Sequence, residues 1–99
     1  MSFRVRYTKA AREDLHRLHG FLLEHDLKAA RRALDAISKG IELLREFPFT
    51  CRKAAPDNPF LRELVISFGA AGCTALFEVE DNETVTILAV RHQREDDYY

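Results

Sequence analysis

The run Glu83 to His92, ETVTILAVRH, constrains this chain more than any other stretch. Val85, Ile87 and Ala89 alternate on one side and Leu88 and Val90 on the other, so a strand here is apolar on both faces and belongs inside a sheet. An interior strand needs a neighbour on each edge and a covering layer. In 99 residues that leaves room for one domain, spanning 1–99, with a single modest core. The strand runs directly into Arg91, His92, Arg94, Tyr98 and Tyr99. Versatile side chains thus gather where the most rigid element stops, and they are the first candidates for contact with a target.

The charge balance narrows the function classes. Fifteen Lys and Arg against sixteen Asp and Glu leave a net charge of -1. That removes the domain-wide basic field of a protein gripping nucleic acid through its phosphates, so no strong direct nucleic-acid binding is expected. No run has the length of a membrane span, and Met1 to Ala10 lacks the apolar core of a signal peptide. The expectation is a cytoplasmic protein whose Cys51 and Cys73 are free thiols. His16 and His19 have i, i+3 spacing but no evident third ligand, so neither a metal nor a cofactor is expected.

The rest of the chain supplies the neighbours and the cover. Phe3, Val5 and Tyr7 alternate with Arg4 and Arg6 as a half-buried first strand. Thr8 can cap a helix with the stripe Ala11, Leu15, Leu18 and Leu22, running to about His25. Asp26 can cap a second helix on Ala30, Leu34, Ile37, Ile41 and Leu44. Gly20 and Gly40, inside these helices, point either to close packing or to tolerance by tertiary contacts. The segment Phe47 to Pro59 holds all three prolines and is expected to be a loop. FLRELVISF (Phe60–Phe68) and CTALFEVE (Cys73–Glu80) then resume strand character, with Cys73, Ala75, Phe77 and Val79 on one face. Asp81 and Asn82 turn the chain into the final strand.

The order β-α-α-β-β-β predicts a two-layer α+β domain. A helical hairpin packs on one face of a mainly antiparallel four-stranded sheet. Placing the first strand beside the last makes ETVTILAVRH interior.

Taken together, VRYTKAAREDL at the start, Ala29, Ala30 and Ala33 in the second helix, LLREFP at its end, LREL in the meander and the terminal ILAVRHQRE resemble the ParE toxins of the RelE/ParE superfamily. The resemblance covers nearly the whole chain in order. It implies the toxin of a bacterial type II toxin-antitoxin system, of the kind associated with plasmid stabilization, held in a hetero-oligomer by a ParD-like antitoxin. ParE-type members are known for inhibiting DNA gyrase, and RelE-type members for cutting mRNA on the ribosome. A third alternative is a non-toxic member that only binds its antitoxin and regulates.

The residues decide between these readings. RNA cleavage needs a base for the 2′-hydroxyl, cations for the phosphate and an acid for the leaving oxygen. Lys53, Arg62, Arg91, Arg94, His92 and Tyr98 are of suitable type. The RelE-like pattern, however, has Gly-Tyr-Arg where this chain has Gly72, Cys73 and Thr74, and Glu95, Asp96 and Asp97 add repulsion for a phosphate. The sequence therefore favours a non-enzymatic gyrase inhibitor with no catalytic residues, contacting its target through Arg91, His92, Arg94, Tyr98 and Tyr99. His92 has a structural alternative as a hydrogen-bonded strand-end group, and the arginines a surface one as partners of the nearby carboxylates. Phe21, Leu23, Phe47, Phe49 and Phe60 exceed what the core evidently needs and are the candidates for the antitoxin groove; the alternative is an aromatic core.

Overall fold

The computed structural model describes residues 2–68 and 71–92. In chain order the elements are β1 (Arg4–Tyr7), α1 (Lys9–His25), α2 (Leu27–Glu46), a short 3-10 turn (Pro48–Thr50), β2 (Arg52–Ala55), β3 (Asn58–Phe68), β4 (Ala71–Val79) and β5 (Thr84–His92). The sheet has the order β1-β5-β4-β3-β2, with β1 and β5 parallel and every other pair antiparallel. The two-layer α+β expectation holds, and β5 is interior beside β1.

The helical hairpin is set by two caps. Thr8 Oγ1 accepts from the Ala11 N–H at 3.1 Å and opens α1. Asp26 serves both helices: its N–H donates to the Leu22 carbonyl at 2.8 Å, while its carboxylate accepts from Lys28 N and Ala29 N. One residue thus closes one helix and opens the next, which forces the tight antiparallel corner.

The core lies between the hairpin and one sheet face, where Leu18, Leu22, Ala30, Ala33 and Leu44 meet Ile66, Phe77, Val85, Ile87 and Val90. The face read from CTALFEVE is correct, with Cys73, Ala75, Phe77 and Val79 all buried. Gly40 marks a close approach of α2 to β3, since a Cβ there would lie 3.0 Å from Leu64 Cδ2 and 3.2 Å from Ile66 Cδ1. Gly20 has nothing comparable nearby. Close packing therefore accounts for one glycine and tolerance for the other.

Three expectations need correction. The sheet has five strands, because Arg52–Ala55 pairs with β3 inside the supposed loop. The prolines leave room for it: Pro48 starts the 3-10 turn, Pro56 follows β2, and Pro59 lies near the start of β3. The Arg52–Glu63 ion pair, 2.8 Å, ties this short charged edge strand to its neighbour. Second, Leu34 is 48% exposed; Ala30 and Leu44 of the expected stripe are buried, and Ala33 is buried in the place of Leu34. Small residues let the helix sit low, which turns Leu34 outward.

Third, the two faces of β5 exchange halfway along. Leu76 pairs with Ala89 but Phe77 pairs with Ile87, so Leu88 is an extra residue, a β-bulge. Val85 and Ile87 face the helices before it, and Val90 and His92 face them after it. Thr8 anchors the bulge by donating its N–H to the Ile87 carbonyl and its hydroxyl to that of Leu88, each at 3.0 Å. Beyond it the Val90 N–H donates to Asp14 Oδ2 at 2.9 Å. A cap and a carboxylate on α1 thereby set which side chains the end of β5 presents.

Candidate functional site

The shifted register decides which residue at the end of β5 faces the helices. Arg91 emerges on the face of the sheet away from the helices, exposed, directly across from Thr74. His92 points the other way and is only 2% exposed. Its ring lies 6.2 Å from that of Phe68, nearly parallel, and 5.4 Å from the tilted ring of Phe21. Phe21 stacks at 4.2 Å on His25, whose Nδ1 lies 2.8 Å from the Phe21 carbonyl. A carbonyl only accepts, so Nδ1 carries the proton. His25, Phe21, His92 and Phe68 form one row of rings fastening α1 to the sheet. As packed, His92 is a joint in the fold and presents no surface to a target. Arg94, Tyr98 and Tyr99 lie outside the described residues.

The antitoxin candidates also separate. Phe21 is half-buried in that row of rings, with Leu23 exposed nearby on α1. Phe47, Phe49 and Phe60 sit at the opposite end of the sheet, where α2 stops and β3 begins, and all three are exposed. Phe49 and Phe60 meet edge to face at 6.3 Å. They form one wall of an open groove of about 680 Å³ whose other lining residues include Glu78, Glu80 and Asp81.

Arg62 holds this wall in place. Its guanidinium lies 5.1 Å from the centre of the Phe49 ring, and it donates to the carbonyls of Pro59 (2.7 Å), Phe49 (3.1 Å) and Cys51 (2.7 Å). A guanidinium fixed by three carbonyls and a ring face is a clamp on the 3-10 turn and β2. Glu63, the next residue along β3, pairs with Arg52.

The groove's acidic side is charged. Asp81 accepts the Glu83 N–H at 2.8 Å, and this bond, with further help from Thr84 and the positive charge of Arg4, holds its carboxyl below the usual carboxylate range. The two thiols are free, buried and quiescent: burial pushes Cys73 up to about 11 and raises Cys51, against an opposing pull from Arg62. Among the described residues no group of three His, Cys, Asp or Glu is placed to hold a metal ion. No described helix is long and apolar enough to cross a membrane.

The acidic rim beside Phe49 and Phe60 was not evident in the sequence. In the sequence Glu78 and Glu80 merely alternate with the Cys73, Ala75, Phe77 and Val79 face, and only the pairing of β3 with β4 brings them to the start of β3, where Leu61 lies across from Glu78.

Comparison with known proteins agrees with this architecture. The solved structure of a chromosomal ParDE toxin-antitoxin system from P. aeruginosa superposes with a TM-score of 0.64, covering 91% of this chain and 95% of that one; at 16% identity this is a likeness of fold. Toxin RelE3 of Caulobacter vibrioides is 35% identical over 85 residues, which are 86% of this chain and 88% of that protein. The family model described as the ParE toxin of the type II toxin-antitoxin system parDE matches residues 5–97. With that match over nearly its full length, and a two-layer fold to go with it, the chain belongs to the ParE toxin family of type II toxin-antitoxin systems.

Proposed function

We propose that this chain is neutralised by a ParD-like antitoxin and that, once released, it binds DNA gyrase and blocks its cycle, acting by binding and not by cutting RNA. The observation that carries the reading is Thr74, a neutral hydroxyl on the face of the sheet where an RNA-cutting relative would need a cation. Losing one oriented charge from a phosphoryl transition state typically costs ~3 kcal/mol. Two other groups of suitable type are already engaged: Arg62 by three carbonyls, and His92 by the rings of Phe21 and Phe68. Arg91 stays exposed and is the described residue best placed to meet a target.

A second reading, ribosome-dependent mRNA cleavage, draws on the relative named RelE3 and on the position of Arg91 beside Thr74. On that reading Arg91 replaces the missing strand cation. Two parallel reactions separate the alternatives: antitoxin-free protein with gyrase and relaxed plasmid, and the same protein in a ribosome-programmed translation reaction. Blocked supercoiling or accumulated cleaved DNA with intact mRNA supports gyrase as the target. Codon-positioned mRNA cuts with normal supercoiling overturn it.

A further inference from the structure

We propose that the groove between the Phe49–Phe60 pair and the β4–β5 turn seats a cationic side chain, arginine or lysine, carried by the bound antitoxin. The identity of the partner rests on the toxin-antitoxin reading above, and the chemistry of the occupant rests on the groove itself.

Its apolar wall is prepared in advance. Phe49 and Phe60 remain about half exposed (48% and 52%) although each is held in place. Phe49 is fixed by the Arg62 guanidinium over its ring and by its edge-to-face contact with Phe60. Phe60 is held by the same ring contact, and its N–H, which donates to Asn58 Oδ1 at 3.0 Å, pins the backbone that carries it. Rings that are ordered before binding lose little conformational freedom when a partner covers them.

The opposite wall is acidic. Among the described residues no ion pair engages Glu78, Glu80 or Asp81. The Asp81 carboxyl is also kept ionised by the Glu83 N–H. An apolar helix face laid into this groove would strip water from these carboxylates and give nothing back. A guanidinium or ammonium on a flexible stem satisfies both walls: the stem lies along the rings, and the head donates to the carboxylates.

A metal ion fits less well. No three acidic groups among the described residues converge on a common point. An occupant with several donors spread over a few ångströms matches carboxylates spread along a strand end and a turn. Arginine fits that description better than lysine, because its five donors are arranged in a plane.

The test measures affinity of the full chain for its cognate antitoxin at low and high salt. Three proteins are compared with the unmodified one: the pair Glu78→Gln with Glu80→Gln, Phe60→Ala, and Glu13→Gln on the exposed face of α1 as control. The expected result is about tenfold weaker binding or more for the double carboxamide, with a shallower salt dependence. Phe60→Ala weakens binding at both salt concentrations, and Glu13→Gln changes nothing. Thermal unfolding of each variant confirms that the fold is retained.

A second measurement uses the unmodified chain, with N-acetyl-argininamide titrated in and backbone amides followed by NMR. Shifts at Phe60 and at residues 80–82 support the proposal; none in that region at saturating probe overturns it, as does unchanged antitoxin affinity in both groove variants. Failure of the unmodified chain to bind the antitoxin at all overturns the partner assignment at its root, and is distinguished from failure of the groove by the unmodified chain alone.

Discussion

The two ends of the sheet use the same residue type in opposite ways. At the end of β5, Phe21 and Phe68 close over His92 and leave it 2% exposed. At the start of β3, Phe49 and Phe60 touch each other, with Arg62 over the Phe49 ring, but stay half in water. The difference lies in what covers them. Helix α1 runs over the end of β5, whereas α2 stops at Glu46 and the chain leaves the helical layer through the Pro48–Thr50 turn. An aromatic ring under a helix is core, and one beyond its end is available surface.

The contrast breaks most readily by truncation. Phe68→Ala removes a buried ring from the closed end, and denaturant unfolding is expected to show a loss of about 3–5 kcal/mol. Phe60→Ala at the open end is expected to change stability by less than about 0.5 kcal/mol. Equal losses would mean that the two ends are one core. Asp14→Ala takes the acceptor from the Val90 N–H just beyond the bulge, with an expected cost of about 1–3 kcal/mol. The same variant should speed amide exchange at residues 88–92 before it affects residues 58–62.

The thiols sharpen the comparison through pH. Cys73, cross-strand neighbour of His92, has its thiol raised from an ordinary value of 9.0 to about 11 by burial. The folded state holds that proton more tightly than the unfolded chain, so this contribution is fully present below pH 9. It is lost as pH rises from 9 to about 11, by roughly 3 kcal/mol at most, two units at ~1.4 kcal/mol each. Unfolding measured across that window, with Cys73→Ala as reference, checks both sign and range. A last pair of variants separates the two helical glycines. Gly20→Ala meets open space and should gain ~1 kcal/mol of helix propensity, while Gly40→Ala must displace Leu64 and Ile66 and should lose that gain.

These particulars show how much of the molecule could be read from residues in order. The double-sided run ETVTILAVRH placed β5 inside the sheet, and Thr8 and Asp26 marked the helix starts, because periodicity and capping are local. The strand at Arg52–Ala55 was not legible, since its support is a non-local pairing with β3 and an ion pair to Glu63. The bulge at Leu88 was hidden for the same reason. A period-two reading assigns Val90 to the wrong face unless the contacts from Thr8 and Asp14, some eighty residues away, are known. The candidate site suffered most from that error of phase. Strict alternation from Ile87 would turn Arg91 toward the helices and His92 to the open face; the bulge exchanges them. The groove at Phe49 and Phe60 is half visible in the sequence: its rings exceed what the core needs, whereas Glu78 and Glu80 come beside them only through the pairing of β3 with β4.

The most direct test of the proposed activity titrates gyrase with antitoxin-free protein in a supercoiling reaction and then adds the antitoxin back. Supercoiling is expected to fall as the protein is added and to return when antitoxin matches it. Supercoiling unaffected by a large excess of protein that still arrests growth when expressed alone would contradict that activity, and would move the search for the target to the ribosome.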